Sequence, residues 1–303
     1  MNLSNNGSHQ NAPASEVDRI KKRNGRETAI FHFLRAAMIL VVAAVIYIFY
    51  DIASKGLGIV SWGFLTEYPR EGMTEGGIFP AIVGTIFVTF ITAIVSYPIG
   101  VATAIYLNEY AKNTLFTRFI RLSIRNLAGV PSIVYGLFGV ALFVQTFRLG
   151  ASILAAGLTL GLLTLPVTIT ASEEALKAVP KSYREGALAL GANKWQSIRT
   201  NVIPAAIPGM MTGLILGLSR AAGETAPILF TGAAFFLPGL PSSLFSMFMA
   251  LPYHLYILAT QHHSPAQVRP IAYGTALVLL VIVLGMNLTA MIVRSRFRKK
   301  LYG

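Results

Sequence analysis

The chain has 303 residues, of which 54% are hydrophobic and only 12% charged, with a mean hydropathy of +0.62. That composition excludes an ordinary soluble domain and describes a polytopic membrane protein. The net charge of +13 does not argue for nucleic acid, because the 25 Lys and Arg are distributed as markers of membrane orientation, and the absence of cysteine excludes disulfides, thiolate metal sites and a Cys nucleophile.

Residues 1–28 are polar and close with Arg19, Lys21, Lys22, Arg23 and Arg26, the composition of a disordered cytoplasmic tail. Residues 29–300 form the transmembrane domain, with a core over 78–293. Its first span is the apolar run 36–50, extendable to residue 29 and uncleaved, since no small-x-small site closes it. Residues 51–77 read as an exposed loop with Trp62 and Tyr68 as interfacial anchors and Gly72, Gly76 and Gly77 as turn formers.

A second span covers 78–107, a polar loop 108–126, and a tight hairpin of two spans 127–147 and 149–171. The polar stretch 172–206 follows, then a fifth span over 207–236 with Arg220 and Glu224 near its middle. An outer loop, 237–270, is apolar but broken by Pro238, Pro241, Pro252 and Pro265, and the last span is 271–293.

With six spans, 20 of the 25 Lys and Arg fall on one side, which the positive-inside rule makes the cytoplasm. The expected fold class is therefore all-α, six transmembrane helices, both termini cytoplasmic. A seventh span at 242–260 would put the basic C-terminal residues outside, so that segment is expected to be interfacial or re-entrant.

Within the polar stretch, Ser182 and Glu185 fit a capping box, and Gly191 sits where a left-handed C-terminal cap belongs. Tyr183, Ala187 and Leu190 share a face of the implied short helix. So short a helix needs tertiary support, either the protein's own surface or a partner. In the fifth span Gly209, Gly213, Gly217 and Ala221 form a stripe of small residues for close helix approach. Arg220 and Glu224 are four apart and can pair. Such a pair either holds two helices or attracts and gates an anion, and the cost of intramembrane charge favours the second role. His262 and His263 are expected to be an exposed polar pair rather than a metal site. No G-x-x-x-x-G-K-[ST] is present.

Glu185-Gly186-Ala187, Gly191 and Ile203-Pro204, with Asn201 between them, resemble the EAA loop of permease subunits of binding-protein-dependent ABC importers. Gly186, Asn201 and Ile203 depart from its commonest form. The run Ser219 to Pro227 (SRAAGETAP) is similar to a stretch of phosphate importer permeases, and Pro69 to Gly77 (PREGMTEGG) resembles the segment that marks their PstA branch. The resemblance implies a type I, MetI-like permease fold in the cytoplasmic (inner) membrane, importing inorganic phosphate by alternating access. It implies a coupling helix whose contact residues are Ser182, Tyr183, Glu185, Gly186, Ala187, Leu190, Gly191, Ile203 and Pro204, and a substrate pathway past Arg220, Glu224 and Thr225. It further implies a PstC-like permease as partner, two PstB-like ATPase subunits that carry ATP and Mg, and a PstS-like phosphate-binding protein. This chain is then a transport subunit, not an enzyme, and holds no cofactor or metal of its own. A permease for phosphonate, sulfate or molybdate, or a secondary anion transporter or channel, are the alternatives.

Overall fold

The computed structural model describes the backbone of residues 14–302 and the side chains of residues 28–296, residue 29 excepted. What is expected of residues 1–13 lies outside the described residues. In chain order the elements are α1 (Ala14–Gly56), α2 (Trp62–Thr66), a small hairpin of β1 (Pro69–Arg70) and β2 (Glu75–Gly76), α3 (Phe79–Ile105), α4 (Leu115–Leu127), α5 (Ser132–Gly139) and α6 (Ile153–Lys177). Then come α7 (Lys181–Ala189), α8 (Lys194–Ser197), α9 (Ile203–Gly223), α10 (Ala226–Thr231), α11 (Leu251–Thr260) and α12 (Pro265–Tyr302). Single π-helical turns extend α3 (Tyr106–Tyr110) and α5 (Val140–Thr146) and join α8 to α9 (Ile198–Val202).

Five described helices are long and apolar enough to cross a bilayer: Ile30–Gly56, Phe79–Tyr110, Ile153–Lys177, Lys194–Gly223 and Pro265–Arg296. The sixth span is a broken pair, Leu115–Leu127 with Ser132–Thr146, bent by 101°. The polar loop expected at 108–126 is therefore largely helical. Thr114 caps α4 by accepting from the Thr117 N–H at 3.3 Å, and Leu115, Phe116, Phe119 and Leu122 stand exposed along it. Pro131 forces the break, because its ring would clash with the Leu127 carbonyl of a continuous helix.

The chain divides after Ser54 into two units. The first is the body of α1, whose apolar side chains from Ile30 to Tyr50 are exposed. Its helix begins at Ala14, so residues 14–28 are helical rather than a disordered tail. Once the apolar run has nucleated a helix, each further residue adds a hydrogen bond at little cost.

The second unit is built on α3, α6 and α9. Small residues set how closely they approach. A Cβ at Gly157 would meet the Ile91 side chain of α3, and one at Gly100 would lie 2.7 Å from Thr168 of α6. A Cβ at Gly209 would lie 2.6 Å from the Ala175 Cβ, and one at Gly213 would collide with Ala171. At Gly217 the nearest α6 atoms are 3.9 Å away, so the two helices separate toward the Arg220 end. Gly213→Leu should therefore cost about 1–3 kcal/mol by overpacking, read as a lower unfolding midpoint in detergent. Gly217→Ala should leave that midpoint nearly unchanged.

The fifth span is displaced from its expected bounds. An Asn193–Gln196 capping box starts the helix early, Asn193 Oδ1 accepting from the Gln196 N–H at 2.9 Å and Gln196 Oε1 from the Asn193 N–H at 2.8 Å. The helix ends at Gly223 because Pro227 would clash with the Gly223 carbonyl if it continued. Residues 224–236 are thus outside the span.

No spanning helix forms at 242–260. Only the ten residues Leu251–Thr260 are helical, about 15 Å long, half the thickness of a hydrocarbon core. The irregular stretch before α11 is tied to the rest of the unit by backbone hydrogen bonds. Ala234 N–H donates to the Phe248 carbonyl at 2.8 Å, Ile153 N–H to Ser246 at 3.0 Å, and Leu251 N–H to the buried Thr85 hydroxyl at 2.9 Å.

The 51–77 stretch is more ordered than an exposed loop. Pro69 pairs with Gly76 and Arg70 with Glu75, while Glu71, Gly72 and Met73 all adopt positive φ (50°, 64° and 74°). Two non-glycine residues in the left-handed region carry strain, roughly 1–2 kcal/mol each. The hairpin is held down by Met73, fully buried against Ile257, Leu258 and Val268. His262 Nε2 hydrogen-bonds the Gly72 carbonyl at 2.8 Å, and its Nδ1 accepts from the Ser264 N–H at 3.1 Å. Of the histidine pair expected to be exposed only His263 is: His262 is buried and stacks on it. Burial, with His262 adding to it, lowers the pKa of His254 to about 4.

Candidate functional site

Two places gather the residues singled out by sequence. The first is α7. Its N-cap is Pro180, in extended conformation (φ −55°, ψ 145°), and no side chain caps it. Ser182 therefore lies in the first turn, and the Ser182–Glu185 capping box does not form: a proline N-cap already turns the chain into the helix one residue earlier. The C-terminus ends in a Schellman motif. Gly191 has φ +85°, its N–H donates to the Leu188 carbonyl at 3.0 Å, and the Ala192 N–H donates to Ala187 at 3.1 Å.

None of the nine residues of α7 is buried. Tyr183, Leu188 and Leu190 project outward, Leu190 being 91% exposed, and Trp195 of α8 is half exposed. Ser182, Glu185 and Gly186 are exposed, and Ala187 is half-buried. Ile203 and Pro204 form the first turn of α9, with Pro204 exposed.

Polar contacts brace α7 from within. Arg184, off the outward face, reaches back across 75 residues of sequence to Glu109. Its Nε donates to both carboxylate oxygens at 3.2 Å and its Nη2 to Oε1 at 2.7 Å. The same guanidinium donates to the carbonyls of Val179 and Leu176, each at 2.9 Å. The Glu109 side chain is only 6% exposed and that of Arg184 22%. Removing one partner of such a pair costs on the order of 3 kcal/mol, because the other charge is left buried. A parallel network lies alongside: Arg121 of α4 pairs with Glu173 of α6 at 2.9 Å, donates to the Leu107 carbonyl at 2.7 Å, and shares Glu173 with Lys177. Sequence reading missed both networks, since pairs this distant leave no spacing signal.

The second place is the break between α9 and α10. Arg220 lies in the last turn of α9, where the negative end of the helix dipole favours a cation. Glu224 is the C-cap, with extended φ/ψ (−75°, 131°), and Thr225 precedes α10. The expected pair is present: Arg220 Nε donates to Glu224 Oε1 at 3.2 Å. Its side chains are 50% and 16% exposed, so the guanidinium keeps its two terminal NH2 groups without a partner among the described residues. α10 seats on α5 through glycine: a Cβ at Gly136 would lie 3.1 Å from both the Ala226 carbonyl and the Pro227 Cα. In the small-residue stripe Gly209 and Gly213 face α6, Gly217 stands off, and Ala221 is buried.

Residues 96–301 match the family model "Binding-protein-dependent transport system inner membrane component". The chain is 34% identical to the "Probable ABC transporter permease protein YqgI" of Bacillus subtilis (strain 168), over 86% of this chain and 92% of that one. It is 33% identical to the "Phosphate transport system permease protein PstA 1" of Mycobacterium tuberculosis (strain CDC 1551 / Oshkosh), over 91% of this chain and 90% of that one. Among solved structures, the MetNI methionine ABC transporter superposes with a TM-score of 0.57 at 14% identity, covering 72% of this chain and 94% of its own. A bacterial alginate ABC importer superposes with a TM-score of 0.64 at 13% identity, covering 92% and 99%. These last two share the fold alone. With its broken span, its surface helix after α6 and a family match over two thirds of its length, the chain belongs to the binding-protein-dependent transport system inner membrane components.

Proposed function

We propose that this multi-pass membrane protein is a permease subunit of an ATP-driven importer of inorganic phosphate in the cytoplasmic membrane. The observation that carries the cargo is likeness over 91% of the chain to a phosphate transport permease. The half-exposed Arg220 agrees with it. α7, which presents Tyr183 and Leu190 outward, is the part that seats in a groove of the ATPase subunits. Both termini then lie on the same, cytoplasmic side, and the β1–β2 hairpin faces outward.

ATP and its Mg²⁺ sit on two PstB-like ATPase chains, a PstC-like permease completes the pathway, and a PstS-like binding protein delivers phosphate. Closure of the ATPases moves α7 and reorients α3, α6 and α9. Phosphate released outside then passes the α9–α10 break, where Arg220 offers charge-assisted hydrogen bonds. Glu224, held against that guanidinium, keeps capture weak enough for release.

Deleting the chain should abolish the high-affinity component of radiolabelled phosphate uptake in phosphate-limited cells, and restoring it should recover that component, with sulfate and molybdate uptake unchanged. Loss of another oxyanion's uptake instead would overturn the cargo. Failure of an ATPase chain to copurify would favour a secondary transporter or channel.

A further inference from the structure

α7 is not welded to the membrane core by apolar packing, since none of its residues is buried. Its fastenings are polar and converge on Arg184. The planar fork of that residue holds the Glu109 carboxylate in the π-helical turn that ends α3, and two carbonyls at and just beyond the end of α6. The Ser197 hydroxyl of α8 donates to the Arg184 carbonyl at 3.3 Å. One side chain therefore ties the surface helix to two core helices at once.

The turn that carries Glu109 is itself gripped from the other side. The Leu107 carbonyl accepts from Arg121 at 2.7 Å, and Lys194 lies 4.8 Å from the centre of the Tyr110 ring. A π-helical turn is a local irregularity in the ladder, and such turns recur at functional positions. α3 and α6 pack along their length through Gly100 and Gly157, and α6 meets α9 at Gly209 and Gly213. A displacement of α7 thus reaches α3 through the Glu109–Arg184 pair, alongside the hold that the Leu176 and Val179 carbonyls give Arg184 at the end of α6.

We propose that Glu109 is a positioning residue that couples movement of α7 to the membrane core, an inference that rests on the ATPase-docking reading of α7. Arg184 grips the helix; Glu109 is the point on the core that is pulled. With Glu109 gone, α7 still presents Tyr183 and Leu190 to its partner but moves without dragging α3. A lysine in place of Arg184 could not serve equally, because it lacks the planar fork that holds a carboxylate and two carbonyls together.

The test uses the whole importer, with both permeases, the ATPases and the binding protein, reconstituted in proteoliposomes. In Glu109→Ala, ATPase copurification and basal hydrolysis should match the unaltered chain, while phosphate moved per ATP falls about tenfold. Glu109→Asp, which keeps the charge, should retain most of that ratio. Glu109→Gln keeps shape and hydrogen-bonding capacity without the charge, and supplies the same reading if the alanine variant does not fold; its ratio should fall as well. An unchanged ratio in the uncharged variants overturns the inference, as does a parallel fall of uptake, hydrolysis and complex yield, which marks a brace with no part in coupling. If the unaltered chain itself fails to retain the ATPases, the docking reading fails first.

Discussion

Ala187→Pro should leave the chain in the membrane but strip it of its ATPase partners. Residue 187 lies in the interior of α7 (Lys181–Ala189), where proline removes the hydrogen bond to the Tyr183 carbonyl and drives its ring against it. The cost, about 3 kcal/mol, falls on a helix of nine residues with no buried face to absorb it. α7 would unwind locally, and the outward display of Tyr183, Leu188 and Leu190 would be lost. The spans fold independently of that display, since α3, α6 and α9 are held by their own glycine contacts. Membrane yield should therefore be near normal, with copurified ATPase and uptake both reduced by at least about tenfold. Retained ATPase and transport-linked hydrolysis in this variant would remove α7 from the coupling interface. Gly191 gives a milder contrast. A side chain there meets no atom within 4 Å, so its replacement by Ala carries only the strain of φ +85°, about 1–2 kcal/mol.

The spans, the lack of a spanning helix at 242–260 and the short surface helix were legible in the sequence because hydropathy, proline placement and Gly191 are local signals. Boundaries were less so. The Ser182–Glu185 pattern matched a capping box, but Pro180 took the cap, and the reciprocal box formed eleven residues on, at Asn193 and Gln196. α4 was hidden because an amphipathic helix with three arginines averages out as a polar loop over a window wide enough to find spans. Glu224 looked intramembrane because Ala226 to Phe236 is apolar; the proline at 227, not hydropathy, ends the helix.

Contacts between distant parts were not legible at all. The PREGMTEGG string could be matched as a pattern, yet its physical content is a left-handed turn at 71–73 that plants Met73 among Ile257, Leu258 and Val268. Its glycines are dictated by backbone: Gly72 and Gly76 have φ +64° and +85°, and a Cβ at Gly76 would strike the Tyr68 carbonyl. Likewise Glu109 and Arg184 each look like ordinary loop charges until folding brings them together. The Arg220–Glu224 pair was foreseeable only because four residues separate its members on one helix.

That pair carries the second large effect. Arg220→Glu should abolish phosphate uptake while leaving the amount of assembled complex unchanged. The guanidinium is half exposed and bonded to Glu224 through Nε, so most of its donors have no partner among the described residues. A charge-assisted hydrogen bond is worth about 1.5–3 kcal/mol. Reversal removes it and sets two carboxylates one helical turn apart at a helix C-terminus, where the dipole already opposes negative charge. Uptake should fall by at least about 100-fold, measured as initial rate at saturating binding protein. Were Arg220 only a clasp across the α9–α10 break, the same change would lower complex yield and uptake in proportion, and Arg220→Gln would be tolerated, since a neutral side chain can still hydrogen-bond Glu224. The pathway role predicts the reverse order, with Arg220→Gln assembling normally and transporting poorly. Glu224→Gln completes the set: with its partner neutralised the guanidinium should hold phosphate longer, lowering both the half-saturating concentration and the maximal rate. A Glu224→Gln importer with unchanged kinetics would show that the carboxylate does not tune the site.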